Sequence, residues 1–200
     1  KDAVSTPIWS ECSDWLRANL GRFTAFQQED LDAIPAAVST SITLSTLHGC
    51  PREEIEKIAD YLLREKKINT YIKCNPTLLG YEEARRIMDD MGYGYVSFDD
   101  HHFKEDLQFT DAVGMLGRLK GTAESLGLAF GVKITNTFPV EIRRSELPGD
   151  EMYMSGRALF PLSINVAARI SEAFGGTLPI SYSGGADSFN LEEIFKTGIR

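Results

Sequence analysis

Apolar positions recur at two different spacings along this chain, and the spacing switches repeatedly. Ile42-Thr43-Leu44-Ser45-Thr46 alternates apolar and polar side chains, which predicts a strand. From Pro51 to Lys67, Ile55, Ile58, Ala59 and Leu62 fall on one face of an otherwise charged amphipathic helix. Pro51 suits the first helical position, and Glu53 and Glu54 suit the positive end of the macrodipole. Thr70 to Lys73 reads as a second strand. After Asn-Pro-Thr a helix is expected from about Tyr81 to Met91, then a third strand from Tyr93 to Phe98. Asp99 to Phe103 reads as a polar loop leading into one long helix that runs to about Leu126. Strands at Phe130 and Ile180, with an apolar helix after Met154-Ser155-Gly156-Arg157 between them, make five. Strand–helix alternation of this kind predicts parallel strands joined by right-handed crossovers.

Residues 1–40 read differently. Trp9, Trp15, Leu16, Leu20 and Phe23 sit near helical spacing, Gly21 is a stop signal and Pro35 ends a second short helix. These aromatics are expected to pack rather than to do chemistry. The fold class is therefore α/β: a helical lead-in over 1–40, then the C-terminal part of a TIM-type β/α barrel over 41–200. A closed barrel takes eight strands and roughly 250 residues. Five strands in 200 residues are thus expected to be a fragment of a larger protein, the alternative being a small open sheet.

Charge and cysteine usage narrow the partners. Net charge is −8, and no Lys/Arg-rich run occurs, which argues against nucleic acid or an anionic membrane. No apolar run approaches the ~18 residues of a membrane span. Cys12, Cys50 and Cys74 share no C-x-x-C spacing. No metal or iron–sulfur site is expected in this stretch, and reduced thiols place it in the cytoplasm.

Side-chain alternation in the strands selects candidates for chemistry. Lys133 and Thr135 should share one face of their strand, opposite Phe130, Val132 and Ile134. Lys73 and Asn75 should likewise share a face, with Cys74 turned away as inert core. A lysine inside a strand is costly to bury unless it is paired or binds an anion. Cys50, in His48-Gly49-Cys50-Pro51, precedes a helix start, where peptide N–H groups favour a thiolate. It is a candidate base or nucleophile, with His48 as a candidate partner; a small buried cap is the alternative. His101-His102 with Asp99 and Asp100 reads as a solvated loop rather than a metal site. Gly184-Gly185 after a strand and Ser155-Gly156 before a helix could bring backbone N–H groups to a phosphate.

Three strings carry a resemblance: Val132-Lys-Ile-Thr-Asn-Thr137, Met154-Ser-Gly-Arg-Ala-Leu-Phe-Pro161 and Ile180-Ser-Tyr-Ser-Gly-Gly-Ala-Asp187. They resemble the FMN barrel of the dihydroorotate and dihydropyrimidine dehydrogenases. Ser45-Thr-Leu-His-Gly-Cys-Pro51, Lys73-Cys-Asn-Pro-Thr-Leu-Leu-Gly80 and Leu147-Pro-Gly-Asp-Glu-Met-Tyr-Met-Ser-Gly156 are more similar still to the YgfK-type iron–sulfur flavoproteins, described as selenate reductase subunits. The resemblance covers about residues 41–200. It implies a flavin-dependent oxidoreductase acting on a planar cyclic amide of purine or pyrimidine type. FMN would lie at the strand ends, held by Lys73 and by the Ser155-Gly156 and Gly184-Gly185 loops. Asn75, Asn136 and Thr137 would meet the substrate, and Cys50 and Lys73 would be catalytic. Iron–sulfur clusters, FAD or NAD(P)H and the electron-transfer partners would lie elsewhere in the full-length protein. The chain departs from the dehydrogenases at Leu47, where they carry asparagine, and in the helix that follows Cys50-Pro51 at once. Lys133 has no assigned counterpart, and Tyr93 to Leu126 resembles an insertion. A Schiff-base aldolase using Lys73 or Lys133, and a non-catalytic barrel scaffold, are the alternatives.

Overall fold

The computed structural model describes residues 3–46 and 48–199. The chain divides into two compact units, residues 1–41 and 42–200. In the first, helix α1 (Pro7–Ala18) starts where the Thr6 hydroxyl accepts from Trp9 N–H at 3.3 Å, with Pro7 in its first turn. Helix α2 (Gln28–Asp32) is held by a reciprocal cap in which Gln27 N–H donates to Asp30. Trp15, expected to pack, is instead 54% exposed.

The second unit is built on a sheet. Strands β1 (Ser41–Leu44), β2 (Asn69–Cys74), β3 (Phe130–Ile134) and β6 (Ile180–Tyr182) lie side by side in that order. β2 pairs parallel with β3 from Thr70↔Phe130 to Cys74↔Ile134, and β3 pairs parallel with β6 from Val132↔Ile180 to Ile134↔Tyr182. Among the described residues the sheet is open, with β1 and β6 at its edges. Helices α3 (Arg52–Arg64), α4 (Tyr81–Asp90), α6 (Phe109–Ser125) and α7 (Phe160–Ala173) alternate with these strands, as the change of spacing predicts. Ile72, Val132 and Ile134 share one buried core with Leu63, Met88, Leu116, Leu119, Leu162 and Ile170 of those helices. A crossover helix needs such a stripe, because strands paired in parallel are covered by the connections between them.

Three expectations about elements change. Tyr93 to Phe98 is irregular rather than a strand. β2 bonds directly to β3, which leaves no slot between them. The carbonyls of Tyr93 and Val96 are taken by the Arg85 guanidinium at 3.2 and 2.7 Å. The buried Phe98 explains the apolar pattern: its ring packs 4.9 Å from Phe138, centroid to centroid. The expected polar loop Asp99 to Phe103 instead runs into a short helix, α5 (His101–Glu105), and the long helix follows as α6, with extended backbone at Asp106 between them. Gln108 bridges the break by donating to the carbonyls of Phe103 and Asp106, both at 2.7 Å. Finally, β4 (Phe138–Glu141) and β5 (Glu151–Met154) form an antiparallel pair after β3 that the alternation did not reveal.

Candidate functional site

The carboxyl ends of β1, β2, β3 and β6 carry nearly every residue singled out from the sequence. Lys73 and Lys133 are direct partners in the β2–β3 register and both are half-buried. Like charges directly opposite on neighbouring strands destabilise a sheet. Among the described residues neither amine has a hydrogen bond or an ion pair, so the neighbouring carboxylate that would explain them structurally is not found. Thr135, expected beside Lys133, instead meets Ser163 of α7, with 2.8 Å between hydroxyl oxygens. The strand ends at Ile134, so strict alternation no longer governs the next residue.

Just beyond the strand ends, Asp106 collects four donors. Its Oδ2 lies 2.6 Å from His48 Nδ1, 2.6 Å from Thr77 Oγ1 and 3.0 Å from Asn75 Nδ2, while Oδ1 accepts from Gly49 N–H at 2.8 Å. The carboxylate is 1% exposed. Burial alone would push its pKa up, but the bonds from His48, Thr77 and Gly49 outweigh burial and hold it below the ordinary carboxylate value. An ionised carboxylate only accepts, so the Asn75 amino group must face Asp106. The Asn75 carbonyl oxygen then receives Asn136 Nδ2 at 2.8 Å. Asn136 is fixed in turn, with its own oxygen turned toward the Ser45 hydroxyl at 3.5 Å. Asp106 thereby sets the polarity of the Asn75–Asn136 pair, and Thr137 stands exposed next to it.

Asp106 was not found from the sequence. It looked like one more acid in the polar run 99–106, and only the helix break marks it. Cys50 also differs from expectation. Partial burial, then Glu54, push its thiol pKa up, and a bond with Thr46 only partly opposes this. The first-turn Glu54 that suits the helix dipole thus adds to burial in opposing a thiolate next door. Cys74 is buried core, its thiol pushed up to about 12 by burial. His102 Nε2 pairs with Glu151 at 3.0 Å and His101 with Glu105 at 3.3 Å. Leu47, the position that departs from the dehydrogenases, lies outside the described residues.

The two glycine loops meet each other. Gly185 has φ +85°, and a Cβ there would come within 2.7 Å of the Gly156 carbonyl oxygen. A Cβ on Gly184 would lie 2.0 Å from Ser163 Oγ. The sequence suggested that Gly185 stays small to approach a phosphate; the structure adds a second reason, the close fit against Gly156 and Phe160. Its N–H is also engaged, donating to Ser183 O at 3.1 Å. Among the described residues the N–H groups of Gly156 and Gly184 have no partner. Ser155 is exposed beside them, and Arg157 is already paired with Asp187 at 2.7 Å.

An open parallel α/β sheet with its polar groups gathered at the strand ends has the layout of a barrel active site. Residues 1–200 match the family described as Oxidoreductase YgfK, N-terminal TIM-barrel domain, and the chain belongs to that family. It is 54% identical over 178 residues to the "Putative oxidoreductase YgfK" of Escherichia coli (strain K12), and equally to that of Escherichia coli O157:H7. Those alignments cover 87% of this chain and 17% of each relative, so the chain spans about a sixth of the length of the curated relatives it matches. No helix among the described residues is long and apolar enough to cross a membrane.

Proposed function

We propose that this domain is the flavin-binding part of an FMN-dependent oxidoreductase that acts on a planar cyclic amide. The observation that carries the reading is the pair Lys73 and Lys133, two amines held side by side at the strand ends with no partner among the described residues. Such a pair fits an anionic ligand, because only an opposite charge offsets their mutual repulsion. The free N–H groups of Gly156 and Gly184 supply a second, uncharged anion-binding feature where the phosphate would sit. Bound there, FMN supplies a two-electron acceptor and donor.

The substrate class follows from the amides. A cyclic amide presents N–H beside C=O, and Asn136 offers an oxygen and an amino group in an orientation that Asp106 fixes through Asn75. A selenate-type oxyanion would engage the lysines but leave Asn75, Asn136 and Thr137 without a role, so selenate is the weaker candidate. Membership of an oxidoreductase family favours this chemistry over a Schiff-base aldolase or a passive scaffold. Iron–sulfur clusters and an FAD or NAD(P)H site would belong to the remainder of the full-length protein, which would act in the cytoplasm.

The test is the visible spectrum of the full-length protein, together with chromatography of the flavin it releases. FMN in a one-to-one ratio to this domain supports the reading, and a preparation free of FMN sinks it. Anaerobic mixing with dihydrouracil, dihydrothymine and dihydroorotate then addresses the substrate. If none of them bleaches the flavin, the pyrimidine class is wrong.

A further inference from the structure

We propose that His48 is the proton-transfer residue of this site, reacting through Nε2, and that Asp106 is the positioning residue that orients it. The reaction rests on the oxidoreductase reading above; the geometry does not. His48 sits in the turn after β1, between the end of that strand and Cys50, and its side chain is 16% exposed. Because Asp106 is ionised and accepts only, the 2.6 Å contact requires that Nδ1 carry a proton. The neutral ring must then hold its lone pair on Nε2. Among the described residues Nε2 has no hydrogen-bond partner. A buried carboxylate on one ring nitrogen and a free lone pair on the other is the arrangement of a general base.

Its surroundings point the same way. Asn75, which reaches the same Asp106 oxygen, lies 3.4 Å from His48 Nδ1 and one hydrogen bond from Asn136. The His102 ring is 5.2 Å away but is tied to Glu151, and the Tyr153 ring stacks at 6.2 Å. His48 therefore borders the amide pair at its Nδ1 edge, and among the described residues nothing competes for Nε2. Cys50, the residue that sequence position nominates, has a thiol pushed up by burial and Glu54 and so holds little thiolate to accept a proton.

Oxidising a CH–CH bond next to a carbonyl releases one proton and one hydride equivalent. Bound FMN would be the oxidant that takes up the hydride equivalent. Nε2 of His48 receives the proton, and the imidazolium that forms is stabilised by Asp106. In the reverse direction Nε2 returns that proton to carbon.

The test uses the full-length protein and diethyl pyrocarbonate, which acylates an accessible imidazole nitrogen that bears a lone pair. His101, 58% exposed on its side chain, is the internal reference. Peptide mass spectrometry should find His48 modified in the wild type and, relative to His101, modified at least about tenfold more slowly in Asp106→Asn. The direction follows from Gly49, whose N–H keeps an oxygen at the Oδ1 position. The new amino group must then occupy the Oδ2 position and donate to Nδ1, which moves the ring proton to Nε2. No reaction at His48 in the wild type, or an unchanged ratio in the variant, overturns the proposal. If Asp106→Asn does not fold, His48→Gln replaces it, read as turnover of the dihydropyrimidine at constant flavin content. A fall of about 10²–10⁴ is expected, and a change within about threefold overturns the assignment. If no dihydropyrimidine is turned over, the substrate class fails on its own and the labelling ratio still decides the role of His48.

Discussion

Replacing Lys73 by Met should move two quantities in opposite directions. Met keeps most of the aliphatic stem and removes the charge. In the flavin-free protein it should relieve the repulsion between direct partners on β2 and β3, about 0.2–1 kcal/mol. No bond is lost in return, because the Lys73 amine has none among the described residues. The domain's melting temperature should then rise by up to about 4 °C. With FMN present the amine is expected to make a charge-assisted hydrogen bond worth about 1.5–3 kcal/mol. Its loss should weaken flavin binding about 10- to 150-fold. Lys133→Met should behave alike. The double variant should lose further affinity but gain little further stability, since the first change already removes the repulsion. The assay is FMN titration of the full-length apoprotein by fluorescence quenching, alongside thermal melting of the same preparations. A less stable apoprotein with unchanged FMN affinity would refute the reasoning and make the lysines structural.

The remaining expectations concern neighbouring groups. Gly184→Ala should destabilise the domain by about 1–3 kcal/mol, because the new Cβ would overlap Ser163. Ser163→Gly should recover part of that in the double variant, and thermal melts that simply add would show the overlap is not the cause. In the native protein iodoacetamide should label exposed Cys12 first, Cys50 more slowly and buried Cys74 least; equal rates at Cys50 and Cys74 would contradict the burial argument. Cys50→Ser should slow turnover by less than about tenfold, whereas a loss of about 10² or more would return the proton to the thiol. Asp106 has a folded pKa below its unfolded value of about 3.9. Its contribution to stability is therefore complete above that value and lost as pH falls through the folded pKa. Asp106→Asn should accordingly flatten the acid limb of stability below about pH 4, and a limb of unchanged slope would remove Asp106 as its source.

The chain's own pattern carried the sheet because parallel strands between crossover helices leave a strong signature. Ile72, Val132 and Ile134 alternate with Tyr71, Lys73 and Lys133, and the helices between them repeat at another period. Tyr93 to Phe98 misled because burial of Phe98 needs an apolar residue whether its backbone is a strand or a loop. What decides is the Arg85 guanidinium, which lies in a different element and cannot be read locally. Lys73, Asn75, Asn136 and Thr137 were legible because strand ends are where this architecture puts polar groups. Asp106 was not, since its importance comes from partners 29 to 58 positions away. No spacing within one element encodes such a contact. The helix break was the one local trace, and a run of acids and histidines hid it.

Three exceptions to ordinary folding rules in the second unit fall together, and that coincidence is itself informative. Among the described residues two cations oppose each other without a counter-ion, a carboxylate is buried under four donors, and a histidine keeps one nitrogen free. All three lie at the carboxyl ends of β1, β2 and β3. The carboxylate is the instructive member. A buried ion is retained at a cost unless every lone pair is used, and here the donors come from Gly49, His48, Asn75 and Thr77. Removing Asp106 would therefore unset the turn before Cys50, the tautomer of His48 and the amide polarity of Asn75 at once. If Asp106 served only to cap that turn, a neutral acceptor would be enough for Gly49 and the ring of His48 would be free to adopt either tautomer. Ionised, it forces a single proton arrangement from His48 to Asn136, which is what a site that moves protons requires.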